Sequence, residues 1–241
     1  MIINRIKLPL DTLNSVPEPD RTYYVRLAHH LNETNILHKL ILWSVHTPTT
    51  HPLEDSANHS QTMLFTKLLC GKLYEGRFLI TLGHKFAPRL SEIARESLKN
   101  LKVYFATENL IAIIRNQFGF HTDVEPLEEL SKDLPSNIEY EWLCCTKRHS
   151  TLYHFADIVA NAAFLSVTGE KTVEAALEKL LREFLQIYNW YVHFGDECLG
   201  VMTEQYFPDS LLDEKIEKVE IKTDATIGNV TIPFFVEHED V

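Results

Sequence analysis

The sequence predicts a mainly α protein: an up-and-down helical bundle with a small C-terminal β appendage. Three observations lead there. Only 8 Gly and 10 Pro occur in 241 residues, too few for an all-β sandwich or propeller, which needs a turn every ten residues or so. Apolar residues recur at helical spacing over long stretches. The chain is 45% apolar and 24% charged, which supplies a core and excludes disordered, collagen-like and low-complexity classes.

Residues 1–19 read as loop and end in Val16-Pro17-Glu18-Pro19. Asp20 is the expected N-cap of a helix whose apolar positions are Tyr23, Leu27, Leu31, Leu37, Ile41 and Val45. The segment from His46 to Pro52 stops it, because two prolines among polar residues cannot continue a helix. A second helix is expected from Asp55 or Ser56, with Met63, Leu64, Leu68, Leu69, Leu73 and Phe78 as its stripe, fading by Gly83 and ending before Pro88. Ser91 opens a third, with Ile93, Ala94 and Leu98 on one side and Asn100 as a point of interruption. A further helix covers about Phe105 to Phe118. Thr122 to Pro135 is acidic and holds two prolines, so it reads as surface loop.

The alternation from Ile138 to Cys145 fits a short strand. Ser150 or Thr151 caps the next helix, which runs to about Val167 and stops at Gly169. Thr172 starts a long helix that reaches toward Tyr206. Beyond Pro208, segments 218–222 and 230–236 read as two short strands, a possible hairpin. This gives five to seven helices, no internal repeat, a helical domain over 1–207 and an extension over 208–241.

The N-terminal residues lack the apolar core of a secretory signal, and no stretch approaches the roughly 18–20 apolar residues of a membrane span. Cys70, Cys144, Cys145 and Cys198 form no CxxC pair, so free thiols in a reducing cytoplasm are expected. The glycines never fall into GxGxxG or GxxxxGK[ST], and the histidines show no HExxH spacing. No cofactor, no metal and no membrane association are therefore expected.

The net charge is −11, from 23 basic and 34 acidic residues. Residues 61–121 nevertheless hold nine Lys or Arg against four Glu, a local charge of +5. Such a basic stretch could hold a polyanion such as RNA, and it could equally be the solvated faces of three amphipathic helices. The acidic total argues against unspecific coating of nucleic acid, which needs many phosphate contacts.

The segment from Ile111 to Asp123 carries the strongest chemistry. An apolar helical run ends in Arg115-Asn116, and His121 follows. On an unbroken α-helix, six residues leave two side chains about 120° apart. Gly119 would end the helix and let His121 return toward Arg115, with Asn116 bonding the freed backbone groups. An Arg and a His on one phosphate can cleave RNA without a metal. Arg115 would stabilise charge on the phosphorane, and His121 would exchange a proton with the 2′-hydroxyl or the leaving oxygen. The same Arg has a simpler reading, favouring the helix dipole near a C-terminus.

This segment resembles the motif of HEPN-domain proteins, an Arg and a His separated by four to six residues. Arg115-Asn116 and His121 match its Arg-Asn form with five residues between. The basic helices before it and the helix-rich remainder, about residues 20–205, also resemble HEPN proteins of the abortive-infection type. The resemblance implies a helical bundle and a metal-independent endoribonuclease acting as a toxin or phage-defence effector. It implies RNA as substrate and a homodimer whose two Arg/His pairs line one cleft. Arg115 and His121 would be catalytic, Asn116 would support their geometry, and an antitoxin protein would be a partner. Thr122 to Leu134 contain no Tyr, so the tyrosine signature that some such toxins carry after the His is absent. Other HEPN domains are non-catalytic modules that bind RNA or a protein, and that is the alternative function.

Two further groups stand out. His154, Asp157 and Asn161 are spaced i, i+3 and i+7, so they share a helix face that could take a metal or a phosphate or form a hydrogen-bond network. Tyr188, Trp190, Tyr191 and Phe194 cluster near Cys198 and read as packing residues.

Overall fold

A computed structural model describes residues 1–119, 139–145, 150–207, 216–226 and 228–235. It is mainly α with one small strand pair. In chain order the elements are β1 (Ile2–Ile6), α1 (Leu10–Asn14), α2 (Glu18–His46), α3 (Pro52–Glu75), α4 (Arg77–Gly83), a 3-10 helix (His84–Arg89) and α5 (Glu92–Phe105). Then come α6 (Leu110–Ile114), a π-helical turn (Arg115–Gly119), α7 (His154–Ser166), α8 (Val173–Tyr206) and β2 (Ile216–Glu220).

Several boundaries follow directly from capping chemistry. The Ser91 hydroxyl accepts the Ala94 N–H at 3.3 Å and opens α5. That helix passes through Asn100 without interruption. Gly169 has φ +73°, the left-handed backbone that glycine accepts most readily, and it follows the end of α7. The Thr172 hydroxyl accepts the Ala175 N–H at 3.2 Å, and α8 reaches Tyr206 as expected.

Other boundaries differ. Pro52, expected as part of a stop, is the first residue of α3. At that position its fixed φ suits the helix and its missing N–H costs nothing. The helix expected over 105–118 is broken at residues 106–109. The Asn109 side chain accepts the Ala112 N–H at 2.9 Å and starts α6 anew. In the described part of the strand expected at 138–145, only a bridge forms, Leu143 with Leu152. Ser150 and Thr151 precede α7 without capping it; its N-cap position is Tyr153.

The tail also differs from expectation. β2 pairs antiparallel with β1, with Ile3 opposite Val219 and Asn4 opposite Lys218. Its partner is therefore the N-terminal segment, where loop is expected, and residues 230–235 form no strand. All five β1 residues are exposed, so no period-two burial marks the strand in the sequence. Glu217 joins Arg5 at 3.7 Å and Lys7 at 3.2 Å across the pair. Residues 208–215, next to the expected domain boundary, lie outside the described set.

The chain divides into two compact units. The first comprises Met1–Thr34, Glu75–Thr107 and Gln186–Ala225. Its core holds Tyr23, Leu27 and Leu31 of α2, Leu98 and Leu101 of α5, and Tyr191, Phe194 and Cys198 of α8. Tyr191 and Phe194 are thus packing residues, as their spacing predicts. The second comprises Asn35–Tyr74, Glu108–Leu185 and Thr226–Val241. Its core holds Met63, Leu69 and Leu73 of α3, Ile111 and Ile114 of α6, Phe164 of α7, and Leu180 and Phe184 of α8. Among the described residues, no helix is long and apolar enough to cross a membrane.

Candidate functional site

Arg115 begins the π turn directly after α6, in the second unit. Ile111 and Ile114 anchor the helix below it in the core. At the far end of the turn, Phe118 meets Phe164 of α7 edge-on, with centroids 6.0 Å apart. Single π turns occur disproportionately at functional positions, where they redirect side chains that an α-helix would space evenly. Arg115 itself is half-buried. Its Nη1 donates to Asn116 Oδ1 at 3.1 Å, and its guanidinium carbon lies 5.4 Å from the Tyr74 ring centroid. A planar guanidinium over an aromatic face is held in orientation without losing the donor fork that suits phosphate.

Arg115 and Asn116 are therefore brought together. Asn116 Oδ1 engages the guanidinium, where the sequence suggested that Asn116 would serve backbone groups. His121, the third predicted member, lies outside the described residues, as does the acidic segment after it.

The face of His154, Asp157 and Asn161 meets two residues of α3, Lys67 and His59, that lie outside the spaced motif. Lys67 Nζ donates to Asn161 Oδ1 at 3.0 Å and lies 5.2 Å from the Phe164 ring centroid. Burial pushes the Lys67 ammonium below its usual pKa, and the Asp157 carboxylate draws it back. His59 is likewise held below the ordinary imidazole range. Desolvation comes first, the neighbouring His154 adds to it, and Asp157 opposes it. On the other side, Glu141 Oε2 lies 3.8 Å from His154 Nδ1.

Phe164 is common to both groups, touching Phe118 of the Arg115 turn and Lys67 of the polar cluster. A signal for Lys67 existed in the sequence. Lys67 and Tyr74 are seven apart on α3, which places both on one helix face. Among the described residues, no group of three His, Cys, Asp or Glu side chains is arranged to hold a metal ion.

The basic stretch over 61–121 is divided between the units. Lys67, Lys72 and Arg115 belong to the second and the other six cations to the first. Among those six, Lys85 meets Asp20, Arg89 meets Glu204 at 3.5 Å, and Lys99 meets Glu96 at 3.4 Å. Part of the basic stretch is thus charge pairing on helix faces.

Comparison with protein-family models, curated proteins and solved structures finds no match to this chain.

Proposed function

We propose that the protein is a metal-independent endoribonuclease of the toxin or abortive-infection kind, with Arg115 and His121 as its catalytic pair. The observation that carries this reading is the setting of Arg115, on a π turn after a buried helix, with its guanidinium oriented by Asn116 and Tyr74. In the proposed reaction the ribose 2′-oxygen attacks phosphorus and the bond to the 5′-oxygen breaks. The 2′-hydroxyl loses its proton and the 5′-oxygen gains one, which leaves a 2′,3′-cyclic phosphate and a 5′-hydroxyl. His121 carries the proton, and Arg115 stabilises the extra negative charge on phosphorus. RNA is the substrate, and the working form is a homodimer in the cytoplasm restrained by an antitoxin protein. The resemblance of residues 111–123 to the HEPN motif supports each of these assignments.

The test is RNA cleavage by purified protein in EDTA. His121→Ala should lower the rate about 10²- to 10⁴-fold, the usual contribution of a general acid–base, while the fold remains intact. Cleavage that survives His121→Ala overturns the reading. RNA binding without cleavage by the wild type would mark a non-catalytic module. Induced expression of the wild type beside His121→Ala gives the cellular counterpart, with growth arrest expected only for the wild type.

A further inference from the structure

β1 and β2 form a two-stranded antiparallel ribbon in the first unit. All five β1 residues are exposed, Ile2 at 70% and Ile6 at 45%. Such a ribbon is marginal in water by itself, and stability ordinarily takes a third strand or a helix against one face. The ladder fixes which backbone groups are engaged. Ile221 N–H donates to the Met1 carbonyl at 2.9 Å, and the Met1 amine donates back to the Ile221 carbonyl at 3.1 Å. In an antiparallel pair, mutually bonded positions of this kind alternate with positions whose N–H and C=O face away from the partner strand. The register pairs Ile2 with Glu220, Asn4 with Lys218 and Ile6 with Ile216. Counting from Met1, Ile3 and Arg5 therefore bond to β2, while Ile2, Asn4 and Ile6 turn their N–H and C=O groups to the outer edge. Among the described residues, no further strand pairs with that edge.

This outer edge is complementary to itself. Two copies related by a two-fold axis through Asn4 set Asn4 opposite Asn4, Ile2 opposite Ile6 and Ile6 opposite Ile2. These are the positions whose backbone groups face outward, so every pair can exchange two hydrogen bonds. An axis through Arg5 would instead set two guanidinium groups directly opposite each other, which is destabilising, and one through Ile3 would set Ile2 against Asn4. With the axis at Asn4, one row across the joined sheet reads Ile216 and Ile6 of one copy, then Ile2 and Glu220 of the other. On the opposite face a row reads Glu217 and Arg5, then Ile3 and Val219. Glu217 lies 3.7 Å from Arg5 within its own chain, so this row sets an ion pair beside aliphatic side chains and brings no like charges together. The outer edge of β2 differs. Its outward positions are Ile216, Lys218 and Glu220, and charge on an edge strand, Lys above all, discourages pairing.

We infer that the outer edge of β1 pairs with the same edge of a second copy of this chain, joining two ribbons into one four-stranded antiparallel sheet. The inference names a contact surface for the homodimer proposed above and rests on that reading for the presence of two copies. It involves neither Arg115 nor His121. Five strand residues a side make a small interface, of the weak and reversible kind.

The experiment reads the monomer–dimer equilibrium of the full-length protein by light scattering from about 10 µM to 1 mM, a range that spans weak association. The dimer fraction should rise with concentration. Asn4→Pro removes an N–H that β2 does not use, a place where an edge strand accepts proline. It deletes one donor from each copy and should weaken association about fivefold to a hundredfold. A second set of variants keeps the backbone intact. Ile2→Lys and Ile6→Glu should each associate less than the parent. Their equal mixture should associate more than either alone, because this register sets position 2 of one copy opposite position 6 of the other. A monomer throughout the range overturns the pairing and removes the homodimer with it. Self-association unchanged by Asn4→Pro and Ile2→Lys overturns the pairing alone and leaves a homodimer held by another surface. A mixture no stronger than its components also overturns it. RNA cleavage in EDTA, assayed on the same samples, tests the nuclease separately: association through β1 without cleavage removes the nuclease and keeps the sheet.

Discussion

Arg115 donates from Nη1 to Oδ1 of its own chain neighbour, Asn116, at 3.1 Å. On a regular helix, neighbouring side chains do not face each other. Here both residues sit in the π turn that follows α6, and the long Arg side chain bends back across it above Tyr74. The guanidinium is therefore oriented before any ligand arrives, which lowers the entropy lost on binding an anion.

Asn116→Ala should separate orientation from charge. It removes one hydrogen bond, worth about 0.5–1.5 kcal/mol, and leaves the cation. RNA cleavage should fall about tenfold, while Arg115→Ala should cost a hundredfold or more, as loss of one preorganised charge-stabilising donor does elsewhere. Rates in EDTA at saturating RNA check this. Equal losses in the two variants would show that Asn116 does more than orient its neighbour.

Lys67 and Asn161 invite a double-mutant cycle. Asn161→Ala leaves a partly buried ammonium short of one acceptor, at a cost of about 1–3 kcal/mol. Lys67→Met removes the charge and keeps a flexible apolar stem against Phe164. The double variant should be less destabilised than the sum of the two single ones, as expected for residues in direct contact. Urea denaturation measures all four proteins, and additive effects would mean that the pair is not coupled.

The helical content and several helix ends were legible in the sequence, because Ser91, Gly169 and Thr172 act through short-range capping chemistry. Asn109 acts by the same rule, yet the apolar run before and after it concealed the break. β1 left no signal, since a fully exposed two-stranded ribbon needs no alternation of burial. The site was legible in part. Arg115-Asn116 and the face of His154 announce themselves by spacing. The seven-residue spacing of Lys67 and Tyr74 puts them on one face of α3, but what that face and His59 meet is set by the packing of α3, which no local pattern encodes.

Stability should fall as pH drops below neutrality. The His59 and His38 imidazoles are both held below their ordinary pKa, His38 by burial and His59 by desolvation together with His154, against Asp157. In the unfolded chain each takes up a proton near pH 6.5, whereas the folded chain resists it. The unfolded state then binds more protons, so stability is full above that pH and declines as pH falls toward the folded values. Thermal midpoints measured from about pH 8 to pH 5.5 should decrease, and His59→Gln should flatten part of the slope. A slope unchanged in His59→Gln would remove His59 as a contributor.

Gly76, between α3 and α4, and Gly200, within α8, should respond to alanine with opposite signs. Gly76 has ordinary helical φ of −59°, so backbone strain plays no part. A Cβ there would meet His30 Nε2 at 2.5 Å and Tyr191 Cζ at 2.8 Å. Both belong to the packed first unit, where their rings meet with centroids 5.2 Å apart. Overpacking of this kind costs about 1–3 kcal/mol, and at the N-cap position that Gly76 holds alanine has no propensity gain over glycine to offset it. Gly76→Ala should therefore lower the thermal midpoint. Gly200 lies within α8, exposed, with nothing within 4 Å of an added Cβ. There only the propensity gain operates, and Gly200→Ala should raise the midpoint. If Gly76→Ala also raised it, the close approach of α2 and α8 residues around Gly76 would have to be looser than these distances imply.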